Sequence, residues 1–162
     1  VASSRDLTLI DQLVTEISGS WEPESPDTVT REYLALVTDK DLQSLLGRRV
    51  YLFPMAYETQ DENHSENVYG YRVGVSVIER YEEADKAGSE AVKAWLDERL
   101  DFVETELIDA LDYGQNGLLS FGSNRKVWTE SIEIPQRYDV VLLAEKKLFR
   151  CDVMFMFREI QA

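Results

Sequence analysis

The residue types that most often carry chemistry are scarce in this chain and poorly placed for it. The single histidine, His64, lies in an acidic run from Glu58 to Asn67, beside Asp61, Glu62 and Glu66. Carboxylate oxygens suit hard divalent cations, so the run has the right ligand type for a weak metal site. Its spacing matches no calcium-loop pattern, and ordering a flexible loop around an ion costs conformational entropy. The run therefore reads as a solvated loop. Cys151, the single cysteine, falls on the apolar side of an alternating strand with no second histidine to activate it. It reads as a buried core thiol. Gly114, Gly117 and Gly122 fit neither the dinucleotide nor the P-loop spacing. Glu98, Asp101, Glu104 and Asp109 could pair carboxylates along a helix, but such charges ordinarily form the helix's solvated side. Arg72, Arg80, Arg150 and Arg158 are too few to grip nucleic acid in so acidic a chain. No catalytic, cofactor or metal site is expected, and an enzyme reading has no residue to rest on.

The elements that would position these groups are legible from periodicity. Ser3 or Ser4 caps a first helix with Leu7, Ile10, Leu13, Val14 and Ile17 on one face, ending at Gly19. Trp21 to Pro26 breaks regular structure, Thr28 to Thr38 reads as a short strand, and Asp39 to Gly47 as a turn or short helix. In that turn Leu42, Leu45 and Leu46 face inward. A long hairpin follows. Its first strand, Arg49 to Tyr57, is apolar on both faces, and Pro54 places it at an edge or bulge. Its return strand alternates, with Tyr69, Tyr71, Val73, Val75 and Val77 opposed to Gly70, Arg72, Gly74 and Ser76.

A long helix is predicted from Ser89 to about Leu111 or Asp112. Its stripe is Val92, Leu96, Leu100, Val103, Leu107 and Leu111, widened by Ala91, Trp95 and Phe102 onto a second flank. That flank needs a further partner, either the first helix or a neighbouring subunit. Gly114 to Asn124 reads as a loop, Lys126 to Ile134 as a strand stopped by Pro135, and Gln136 to Lys146 as holding a short helix. The last strand, Lys147 to Ile160, sets Phe149, Cys151, Val153, Phe155 and Phe157 against Arg150, Asp152, Met154, Met156 and Arg158. Two long strands with one strongly apolar face each describe an α+β fold. They read as a sheet with helices packed on one face and the other face open.

Composition sets the outer limits. The 162 residues fit a single domain spanning 1–162, and 44% hydrophobic content is that of a folded protein. With 17 basic and 31 acidic residues the formal charge is −14, which should repel nucleic acid and anionic membrane. DNA could still pass such a surface without being held. One cysteine allows no intrachain disulfide and suits a reducing compartment. The longest obvious apolar run, Val140 to Ala144, is too short to cross a bilayer, and no apolar signal region opens the chain, so a soluble protein made in the cytosol is expected.

The order of these elements resembles the tail-completion or tail-terminator proteins of long-tailed bacteriophages, also described as minor tail or neck proteins. The likeness rests on Arg49 to Pro54 with the polar tip after it, on Tyr71 to Val77, on the long acidic helix, and on Leu148 to Arg158. It runs over about residues 28–160. The resemblance implies a single mixed, mainly antiparallel β-sheet with helices packed on one face and a long projecting β-hairpin. It also implies a structural virion protein that assembles with itself into a ring, commonly a hexamer, at the head–tail junction. Implied partners are the tail tube protein and a head-completion or connector protein, with DNA passing through unbound, no cofactor and no membrane. Arg72, Gly74, Ser76, Arg150, Asp152, Met154 and Met156 mix small, charged and flexible apolar groups as subunit interfaces do. With Trp95 and Phe102 they form the candidate interface; a solvated sheet face is the plain alternative. Glu58, Asp61, Glu62 and Glu66 would form a tip facing the lumen or tube. A head-closure or neck adaptor is the near alternative within that class. A different class, an acidic DNA-mimic-like binding module, leans on the charge of −14 and on carboxylates spaced along a helix.

Overall fold

A computed structural model describes residues 4–33, 45–62, 66–81, 89–115 and 117–161. The elements are α1 (Arg5–Trp21), β1 (Thr28–Arg31), β2 (Arg48–Glu62), β3 (Glu66–Arg80) and α2 (Ser89–Phe102), which continues as a π-helical segment (Val103–Asp109). β4 (Leu119–Phe121), β5 (Arg125–Gln136), α3 (Val140–Lys146) and β6 (Leu148–Gln161) follow. The strands form one sheet in the order β1-β2-β3-β6-β5-β4. Only the β1–β2 pair is parallel, so the sheet is mixed and mainly antiparallel, as expected.

The alternating strands bury the residues the sequence assigns to the inside. Tyr71, Val73, Val75 and Val77 join Cys151, Val153, Phe155 and Phe157 under α1 and α2. From α1 come Leu9, Ile10, Leu13 and Ile17. That helix does not stop at Gly19. It continues to Trp21 and ends where Glu22 turns left-handed (φ 53°) and donates its N–H to the Ser18 carbonyl, directly before Pro23. Ser4 stands at the N-cap, yet its hydroxyl donates to Asp6 at 2.7 Å, and Asp6 accepts the Leu7 N–H at 2.9 Å.

The long second helix is not α-helical throughout. Its winding widens at Val103, where a π-helical segment brings Val103, Leu107 and then Leu111 to the sheet. An α-helix rotates residues four apart by about 40°, so the wider turn changes which flank faces inward. Trp95 and Phe102 can therefore be buried before the change, and the Val103–Leu111 set after it.

Five further expectations need correction. The acidic run is mostly strand: β2 and β3 stay paired to Glu62↔Glu66, leaving residues 63–65, with His64, outside the described part. β6 accompanies β3 as far as Asn67↔Gln161, so the described hairpin belongs to the sheet rather than standing clear of it. The Gly114–Asn124 loop contains β4, joined to β5 by a turn with left-handed Gly122 and Asn124. Leu45 is buried but Leu46 is 60% exposed, not inward. The strand expected to Thr38 closes at Arg31; its last residues and most of the 39–47 turn, with Leu42, lie outside the described residues.

Pro54 behaves as its chemistry requires. The register shifts between Pro54 and Ala56, just beyond the last β1 partner, Leu52. β5 runs one residue past Pro135, through a second irregularity between Glu133 and Gln136. α3 starts at Asp139, whose carboxylate accepts the Leu142 N–H at 3.0 Å. This helix sits at the end of the sheet. Its Leu143 joins the main core, while Leu142 packs with Leu45, Ile78 and Leu148 on the opposite side.

Candidate interaction surface

The sheet face turned away from α1 and α2 is built from the alternate positions of the same strands. Register places Ala56, Arg72, Met156 and Ser131 in one row, and Glu58, Gly70, Arg158 and Trp128 in the next. Arg72 is exposed, Met154 and Met156 are half-buried, and Arg72 has no ion pair among the described residues. Arg158 ties its row together: its guanidinium donates to Glu130 at 2.7 Å and lies 3.6 Å from Glu58. It also fills the space above Gly70 that a Cβ would need.

Two positions of the candidate interface are not free surface. The Phe53 ring occupies the space where a side chain on residue 74 would begin, so Gly74 is there to admit that ring. Ser76 is buried and donates its hydroxyl to Asp152, which Arg150 also approaches at 3.3 Å. Small polar residues in an alternating strand thus serve the packing of their own sheet. Trp95 and Phe102 are likewise occupied within the chain. Trp95 packs edge-on against Tyr81 at 5.0 Å and Phe149 at 6.2 Å, and Phe102 against Trp21 at 5.0 Å. The flank that needed a partner finds α1 and the sheet, so these two aromatics belong to the core.

The carboxylates of the acidic run are corrected in the same way. Glu58 is a strand residue on the open face, held by Arg158. Asp61, Glu62 and Glu66 occupy paired strand positions opposite Asn67, Glu66 and Glu62. Cys151 is buried on the core face, where burial pushes its thiol up to about 11. Among the described residues no group of His, Cys, Asp and Glu could hold a metal ion. No helix among them is long and apolar enough to cross a membrane.

Two ionic groups escaped the reading of the sequence. Glu159 is 1% exposed; it accepts the Tyr71 hydroxyl at 2.6 Å and two Arg125 hydrogen bonds at 2.7 and 2.9 Å, with Arg5 at 3.6 Å. Burial alone would raise this carboxyl, but the hydrogen bonds from Arg125 and Tyr71 outweigh it and hold the group below the usual carboxylate range. Burial and the adjacent carboxylate keep the Tyr71 phenol protonated well past its ordinary range. A signal was available: residue 159 is the next core-side position after Phe155 and Phe157, so a carboxylate there had to be buried and paired. The second group joins Glu79 to Arg99 at 2.6 and 3.1 Å and to Arg48 at 3.4 Å. Arg99 stacks over Trp95 and Arg48 over Phe102. These links bolt α1, α2 and the sheet together.

At the β4–β5 edge the open face ends in an apolar groove of about 610 Å³, lined by Leu118, Asn124, Lys126, Trp128 and Ile160. Leu118 is 54% and Ile160 44% exposed. No protein-family model matches this chain, and no curated protein matches it.

Proposed function

We propose that the chain is a structural virion protein, forming a ring at the head–tail junction of a long-tailed bacteriophage, capping the tail tube and joining it to the neck. The observation that carries this reading is the one-sided sheet. Helices seal one face, and the other presents Arg72, Met154, Met156, Trp128 and Ile160, with no metal-binding group of His, Cys, Asp and Glu among the described residues. Flexible apolar side chains interleaved with arginine suit contact between separately folded subunits. The resemblance of the residue pattern supports the same reading. The mechanism is steric: each copy buries a standard-sized interface on two sides, and closure of the ring stops growth of the tube. No cofactor takes part. A neck adaptor would use the same surfaces against different partners.

The test is the composition of purified particles and the outcome of removing this chain. The protein should be present in virions, and its loss should leave heads and tails unjoined, with tails of irregular length. Absence from purified particles, or turnover of a small molecule by the pure protein, sinks the reading. At the hairpin end, neutralising Asp61, Glu62 and Glu66 together should leave the ring intact and alter DNA passage or docking to the tube. Fully infective particles carrying those changes would remove any role for that end.

One observation favours the second reading, an acidic binding module. α1, α2 and the π-helical segment carry ten acidic and three basic residues, a helical surface dense in carboxylates. That reading requires tight association with a basic protein and no ring, which sizing chromatography with and without such a partner separates.

A further inference from the structure

The groove at the β4–β5 edge has a counterpart at the opposite edge of the same sheet. Beyond its pairing with β1, β2 bulges at Pro54–Ala56 and presents Met55, 45% exposed, and Tyr57, 46% exposed. Glu58 follows, half exposed and only loosely held by Arg158 at 3.6 Å. The groove offers the complement: apolar walls from Leu118, Trp128 and Ile160, and Lys126, a cation with no ion pair among the described residues. A free lysine in an apolar groove of a chain with charge −14 calls for an apolar anchor flanked by a carboxylate.

We infer that the Met55–Tyr57 bulge of one copy seats in the Leu118–Trp128–Ile160 groove of the next, with Lys126 facing Glu58 across the junction. The occupant is a second copy of this chain, and the inference rests on the ring reading above. Geometry supports it in two ways. Knob and groove lie on opposite edges of one sheet, so the contact is heterologous, the type that generates rings rather than two-fold dimers. They also lie at one level: Glu58, Gly70, Arg158 and Trp128 form a single row across the sheet. A closed ring allows no net translation along its axis, and patches at equal height along the strands meet that condition when the strands run along the axis.

The experiment is cross-linking between copies. Cys151 is buried, so cysteines introduced by Met55→Cys and Leu118→Cys would be the accessible thiols. The two sites are four strand spacings apart, about 19 Å, too far to bridge within one chain. Oxidising the double variant should give a ladder of disulfide-linked species on a non-reducing gel, ending at the closed ring. Each single variant should give dimers at most. A double variant showing nothing beyond the singles at high protein concentration overturns the inference, and the groove then has another occupant. A second arm uses Leu118→Arg and Met55→Arg, each made alone, so that the altered knob and the altered groove repel each other. Neither should assemble, and their equimolar mixture should stop at a heterodimer, since one intact junction remains. A mixture that stays monomeric, or variants that assemble like the parent, also overturns it. Rings seen without the cross-link would remove this junction and leave the virion role standing. The cross-link in a protein missing from virions would do the reverse.

Discussion

Glu159 is the residue on which most of one end of the molecule converges, because it meets β3, β5 and α1 at once. Glu159→Gln keeps the shape and leaves Arg125 buried beside a neutral amide, so it should destabilise the fold by about 3 kcal/mol. Tyr71→Phe removes a single hydroxyl hydrogen bond and should cost about 1–3 kcal/mol, for the carboxylate it leaves less satisfied. Urea midpoints with unchanged slopes check both. The sign of the pH dependence follows from a folded-state carboxyl held below its unfolded value. Stability from Glu159 is fully present above the unfolded range, near pH 4.3, and is lost as pH falls through the depressed folded value. The acid limb of a stability profile should therefore flatten in Glu159→Gln. Cys151 works in the other direction. Its thiol is raised to about 11, so its contribution holds below about pH 8.5 and fades as pH rises through 11. At pH 8 a thiol reagent should label the native protein slowly and the urea-unfolded protein at once; rapid native labelling would show that the strand opens readily.

At the scale of elements, the open face divides its glycines by what lies above them. Gly74→Ala must displace the half-buried Phe53 ring and should cost about 1–3 kcal/mol. Gly70→Ala only nudges the end of the Arg158 side chain and should cost less than about 1 kcal/mol. Unfolding curves of the pair test whether that face is packed as described. Both long strands left partly uncovered, β2 and β5, carry a proline and a register irregularity; in β2 these follow directly on the last β1 partner, Leu52, and in β5 Pro135 lies well beyond the last β4 partner, Val127. These features blunt edge-to-edge pairing. Replacing Pro54 and Pro135 by Val and Thr should raise concentration-dependent light scattering. The inside of the sheet was legible because burial on one face imposes a two-residue period on β3 and β6. The far half of β2 was not: it lies past β1, its residues 55–58 are exposed, and its polar sequence looks like a loop although β3 supplies its backbone partners. The π-helical change was hidden too, since four-residue spacing fits both windings. Gly74 and Ser76 looked like surface because sequence cannot show a neighbouring ring or carboxylate covering them.

For the whole molecule, the two ionic groups stand at opposite ends of the sheet. Glu79 and Tyr69 are ten residues apart on β3, about 33 Å along the strand, and Tyr69 is the register partner of Glu159. Glu79→Gln and Glu159→Gln should therefore add within about 0.5 kcal/mol in the double variant, with one unfolding transition. Two transitions would mean that the helical layer and the far strands melt separately.

The distribution of charge has a consequence beyond stability. Away from the helices, the sheet positions Arg49, Arg72, Lys126, Arg150 and Arg158 roughly match Glu58, Glu130, Glu133 and Asp152, whereas the helical layer is strongly negative. Among the described residues the molecule therefore divides its charge unevenly across its thickness, the helical side being the more negative. Near any polyanion it feels a torque before it feels a contact, acting over a Debye length of about 8 Å at physiological ionic strength. That torque swings the carboxylate-rich side outward and brings the strands round to face the approaching surface.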